Sequence, residues 1–176
     1  MKLRRRDVLQ VAAAKALGGC AGSARESVAR NPESEALPNR GPAMKTRPLM
    51  TLRLATAAPE DLGLTPRGKG VTFPIAGGTF EGDRLRGKVL PGGADWTLQR
   101  PDGAVELDLR ITLETDDGAL VHMTFTGLRD DAHSYFRTLP RFETAAPKYA
   151  FLNRLLAVGA GEIGADGPRH VLEEIL

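Results

Sequence analysis

Asp95, Arg110 and His122 bring together a carboxylate, a guanidinium and an imidazole, the raw materials of an acid–base site. A guanidinium is permanently charged and offers a planar fork of donors. Arg110 is therefore suited to hold a carboxylate or an enolate, with Asp95 fixing its position. An imidazole titrates near neutral pH, which suits His122 to proton exchange. Tyr149 is a fourth candidate, because a buried phenol hydroxyl needs a partner. Asp108, Thr112 and Thr124 fall in the same alternating set as Arg110, and Trp96, Phe142, Tyr149 and Phe151 offer an apolar pocket wall. A plainer reading competes with each. The polar set also suits the solvated face of an antiparallel sheet, the commoner arrangement, and core filling is the commoner role of such aromatics.

Other chemistries find less support. Gly77-Gly78-Thr79-Phe80-Glu81-Gly82 lacks the Gly-Lys-Ser/Thr ending and the following helix of a phosphate loop, so its glycines read as a sharp β corner. His122, His133 and His170 show no metal-ligand spacing, and Cys20 is the single cysteine. No Gly-x-Ser-x-Gly elbow occurs. No metal and no cofactor are expected.

The elements that would position these residues alternate with period two. Val105, Leu107, Leu109, Ile111 and Leu113 are separated by Glu106, Asp108, Arg110 and Thr112, a strong strand signal. Read as a two-residue hairpin turn, Asp102-Gly103 pairs Leu98 with Leu107 and Trp96 with Leu109, and Asp95 with Arg110 on the opposite face. Asp116-Asp117-Gly118 admits a loop of two residues or three. Three is preferred, because only that register sets Val121, Met123 and Phe125 opposite Leu113, Ile111 and Leu109. It also sets Arg110 opposite Thr124 and Thr112 opposite His122. Tyr135 to Glu143 reads as an edge or interrupted strand because Pro140 lacks a donor. Pro147 to Asn153 suits one or two helical turns, and a turn at Asp166-Gly167 closes a final hairpin. Many short strands and no long helix predict an all-β fold: a small closed antiparallel barrel of eight or nine strands, with one short helix near the C-terminus.

The N-terminus reads differently. Residues 1–20 carry five basic side chains and one acidic, and the rest of the chain carries 19 basic and 21 acidic. The folded part therefore lacks the basic footprint of nucleic-acid binding. Residues 1–20 resemble an export signal, and Arg5-Arg6-Asp7-Val8-Leu9-Gln10 is similar to a twin-arginine motif. Leu17-Gly18-Gly19-Cys20 resembles a lipobox, which would make Cys20 a lipidation site. Residues 21–47 read as a disordered linker, and residues 48–176 as the barrel domain. The expected location is the periplasm or cell envelope, with membrane contact only through a lipid at Cys20. The alternative is a cytoplasmic protein with a short amphipathic N-terminal helix.

Four blocks resemble the DUF3237 family, also called UPF0311. They are Phe73 to Gly82, Leu90 to Trp96, Thr115 to Ala119 and Tyr135 to Thr144, and the stretch from Tyr149 to Gly159, with Asn153, fits as well. The resemblance implies a small antiparallel barrel and no particular reaction. It adds Asn153 to the candidate ligand contacts. Three functions stay open: a module binding a small apolar or carboxylated molecule, a cofactor-independent isomerase, cyclase or lyase, and a structural envelope protein. Exposed strand edges are compatible with a homodimer.

Overall fold

Alternating apolar residues build ten strands over residues 43–176, which the computed structural model describes. The strands are β1 (Thr46–Thr56), β2 (Glu60–Thr65), β3 (Gly68–Glu81), β4 (Arg86–Val89), β5 (Ala94–Gln99), β6 (Val105–Thr115), β7 (Leu120–Asp130), β8 (Tyr135–Glu143), β9 (Ala157–Gly164) and β10 (Gly167–Ile175). The export signal, Cys20 and residues 21–42 of the linker lie outside the described residues. Strand β1 begins two residues before the boundary expected at 48.

All the ladders are antiparallel, and they close on themselves through β1, β3, β6, β7, β8, β9, β10 and back to β1. Between β3 and β6 one barrel position is shared by two short strands, β4 and β5. The result is an eight-position barrel, with β2 extending one rim by pairing with β3 alone. That split explains why ten segments make a barrel expected to have eight or nine. Closure removes most exposed ladder edges, a physical reason for a short-stranded sequence to adopt it.

The hairpins set which face looks inward. Strands β6 and β7 pair in the expected register, Leu113 with Val121, Ile111 with Met123, Leu109 with Phe125 and Arg110 with Thr124. Thr115 N–H donates to the Ala119 carbonyl across Asp116-Asp117-Gly118, and Gly118 takes a φ of 81°, which favours glycine. The preceding hairpin is built alike. Arg100 N–H donates to the Ala104 carbonyl across Pro101-Asp102-Gly103, and Gly103 has a φ of 91°. The loop is therefore three residues long, not two, and this corrects the expected pairing. Thr97 faces Leu107, Asp95 faces Leu109 and Trp96 faces Asp108. A one-residue slip exchanges faces, so Asp95 and Thr97 join the inward apolar set while Trp96 and Leu98 turn outward.

Strand β8 pairs with β7 along its whole length but with β9 only at Arg137 and Thr138. Pro140 sits past that short seam, where a missing donor costs no ladder bond. The expected helical turns form a 3₁₀ helix at Pro147–Arg154 rather than an α-helix.

The two ends of the barrel differ. Toward the β6–β7 turn the interior is filled by Leu52, Phe80, Ile111, Leu113, Val121, Met123 and Leu152, all at most 2% exposed. The 3₁₀ helix is tied to this end by Asp117, which accepts from Thr115 Oγ1 and from the buried Tyr149 hydroxyl, the latter at 2.8 Å, and pairs with Lys148. Toward the β5–β6 and β9–β10 turns the interior is hollow. Among the described residues no helix is long and apolar enough to cross a membrane.

Candidate functional site in the barrel lumen

The hollow end is a cavity of about 460 Å³. Alternate residues of each wall strand face it: Val71, Phe73 and Ile75 from β3, Asp95, Thr97 and Gln99 from β5, Val105 and Leu107 from β6. Arg129 of β7, Phe136 of β8, Leu54 of β1, Ile163 of β9 and His170 of β10 complete the ring, with Lys69 and Asp131 among the lining residues as well.

Asp95 is half-buried, and its Oδ1 accepts one backbone hydrogen bond, from Asp108 N–H at 3.2 Å. Burial pushes its carboxyl up to about 6, and the nearby Asp108 charge adds to the rise. The Asp108 N–H bond and the Arg129 cation oppose it. Among the described residues Asp95 has no ion-pair partner. Its neighbour Thr97 donates through Oγ1 to the Val71 carbonyl at 2.8 Å.

His170 is 1% exposed and lies between two rings, 5.0 Å from Phe125 and 5.2 Å from Phe136 by centroid. Burial pushes its imidazole down to about 4, so it is neutral at physiological pH. Its Nδ1 has no hydrogen-bond partner among the described residues. Phe136 can lie flat on β9 because residue 161 is glycine; a Cβ there would stand 2.8 Å from the ring. Arg129 Nε forms an ion pair with Asp131 Oδ1 at 3.2 Å, but it is buried and among the described residues makes no aligned hydrogen bond. Buried polar atoms in proteins are rarely left unpaired. Two of them here belong to residues that line one cavity.

Of the residues singled out from sequence, Asp95 alone lines this cavity. Arg110 is exposed, paired with Asp108 at 3.1 Å, and its guanidinium lies 5.9 Å from the Trp96 ring. Thr112, His122 and Thr124 share that outward face by register. Trp96 and Asp108 instead border a groove on the barrel exterior beneath β2. Phe142 belongs to the filled core. Tyr149 spends its hydroxyl on Asp117, and Asn153 brackets the Thr144 backbone with two hydrogen bonds of 2.8 Å. Tyr149 and Asn153 therefore pin the 3₁₀ helix, away from the cavity. Arg129, Phe136 and His170 went unread. Arg129 continues the inward alternation of Val121, Met123, Phe125 and Gly127, and His170 alternates with Leu172, so polar residues interrupting an apolar period were the available signal. Among the described residues no cluster of three or more His, Cys, Asp or Glu gathers to hold a metal.

Known proteins resemble this barrel in sequence and in shape. The family described as "Protein of unknown function (DUF3237)" matches residues 44–175. A UPF0311 protein of Rhodopseudomonas palustris is 34% identical over 141 residues, covering 71% of this chain and 92% of the relative. The crystal structure of a conserved protein of unknown function from the same species superposes with a TM-score of 0.72 at 32% identity, over 77% of this chain and all of the other. A more distant likeness, 21% identical with a TM-score of 0.66 over 80% of this chain, is to a crystal structure of an enzyme from Penicillium herquei. That likeness is one of fold alone. The barrel fold is thus shared with these structures, and the chain belongs to the DUF3237 (UPF0311) family.

Proposed function

We propose that this protein binds a small molecule in the barrel lumen, a ligand with an apolar body and an oxygen-bearing polar end. One observation carries the reading: the barrel is packed at one end and hollow at the other, and two residues lining the hollow, Arg129 and His170, each keep a buried nitrogen with no hydrogen-bond partner among the described residues. Its volume falls within the roughly 300–1,000 Å³ usual for small-molecule sites. Phe73, Phe136, Leu107 and Ile75 suit an apolar body, and Arg129 suits an oxygen that carries negative charge. A purely structural role would leave the hollow and its unpaired groups without a reason.

The second reading, a cofactor-independent enzyme, is favoured by the lone raised carboxylate in that same lumen, and a fold neighbour is described as an enzyme. Residues 1–20 support export to the periplasm or envelope, with lipid attachment at Cys20. Fractionation of cells making the full chain and Cys20→Ala tests this; a soluble cytoplasmic protein in both cases would refute export.

Native mass spectrometry of the full chain, purified gently from its own cells, tests the binding reading. An added discrete mass is expected, and Leu107→Trp, which fills the lumen, should remove it. An extra mass that persists in the filled variant would place the ligand elsewhere. A bare polypeptide mass from every growth condition would refute the reading.

A further inference from the structure

We infer that the lumen is a proton-transfer site for small enolisable ketones, in which the Asp95 carboxylate takes a proton from the carbon beside the carbonyl and Arg129 faces the oxygen. The inference rests on the lumen being a binding site and goes further by assigning it a reaction.

Two comparisons single out Asp95. Two other carboxylates are each held by more than one protein side chain. Asp117 takes Thr115, Tyr149 and Lys148, and Glu174 takes Arg47 and Arg84. Asp95 has one backbone donor and no ion pair among the described residues, so most of its acceptor capacity is turned to the cavity. Of the two cations that line the cavity, Lys69 pairs with Asp61, and Arg129, two strands away and paired with Asp131, is not paired with Asp95. A base and a cation held apart do not suit one acidic O–H, whose proton and charge share an atom. They suit a carbon acid, which loses its proton at one atom and gathers charge on another. The aromatic and aliphatic walls fit the ring or chain such a ketone carries.

The step balances within the site. The C–H proton moves to an Asp95 oxygen, the C–H electron pair becomes the carbon–carbon π bond of an enolate, and the carbonyl π pair moves onto oxygen opposite Arg129. Asp95 then returns the proton to the same carbon or to another carbon of the delocalised enolate. The net change is exchange or isomerisation, with no oxidant, reductant or co-reactant.

The probe is 2-tetralone in D₂O with the full chain, followed by proton NMR for loss of the signal beside the carbonyl and by saturation transfer for binding. Wild type should accelerate exchange over buffer. Asp95→Asn should lower the rate by about 100-fold or to the buffer rate, with 2-tetralone still bound. Arg129→Met should lower it by at least about tenfold, with the ketone again bound. Thermal melting of each variant checks folding. Bound ketone without acceleration in wild type would overturn proton transfer and leave lumen binding standing. Undiminished exchange in Asp95→Asn would assign the base elsewhere and overturn it as well. Absence of 2-tetralone binding would also overturn the inference, while native mass spectrometry would decide the binding reading separately.

Discussion

Asp95 and His170 share a cavity, and burial drives their titration in opposite senses for stability. Asp95 is raised from an unfolded value near 3.9 to about 6. The folded state then binds more protons than the unfolded state between those values. This contribution is fully present below the lower value and is lost as pH rises through 6. Arg129, Lys69, Asp131 and His170 are the charged or titratable groups that line the cavity with it, and the charge of Asp108 on the outer face also acts on it. Asp95→Asn should therefore stabilise the protein above pH 6, by about 1–3 kcal/mol after allowance for its partial exposure. Chemical denaturation at pH 5 and pH 8 checks this, and an equal effect at both pH values would contradict it.

His170 has the reverse sign. Its folded value of about 4 lies below the unfolded value near 6.5, so the unfolded state binds the extra proton, and stability falls as pH drops through that window. Replacing the ring with Phe, which matches its aromatic neighbours, should remove about 3 kcal/mol of acid sensitivity between pH 7 and pH 4. The two residues oppose one another across overlapping ranges. The wild-type curve should be flatter than that of either variant, and equilibrium unfolding of all three proteins across pH 4–8 measures it.

At the scale of elements, the hairpin loops decide the chemistry. Strand alternation and closure were legible because apolar residues recur at strict spacing two from Val105 to Leu113 and again from Val121 to Phe125. The Asp116-Asp117-Gly118 loop was legible because only one length kept both faces consistent. Pro101-Asp102-Gly103 was not, because Leu98 and Trp96 made the wrong register look equally apolar. That one-residue difference moved Asp95 from the face of Arg110 to the face of Leu107, and with it the candidate site from the exterior to the lumen. Arg129 and His170 were hidden because a polar residue in an inward position is only meaningful once the hollow is known.

Two element-scale predictions follow from contacts in the structure. Gly161→Ala places a Cβ against the Phe136 ring, so the ring must move toward the cavity, at a cost of about 1–3 kcal/mol from overpacking. A melting curve and ligand occupancy should both fall; an unchanged melting temperature would contradict the close approach. Tyr149→Phe removes the hydroxyl given to Asp117 and should lower the melting temperature by a few degrees while leaving lumen binding unchanged. Loss of binding without loss of stability would instead return Tyr149 to the functional site.

Across the whole molecule, packing divides labour along the barrel axis. A dry core of Leu, Ile, Val, Met and Phe side chains and the pinned 3₁₀ helix close one end, and that rigidity lets the other end stay hollow with polar groups incompletely paired. The outer face that gathers Arg110, Thr112, His122 and Thr124 is an ordinary wet surface in this arrangement. The most direct test places the ligand by residue. Amide chemical-shift mapping of the full chain with 8-anilinonaphthalene-1-sulfonate, an apolar-bodied anion, should perturb Thr97, Arg129, Phe136 and His170 and leave Arg110, Thr112 and His122 unmoved. Perturbation confined to the outer face, with the lumen residues silent, would contradict the account.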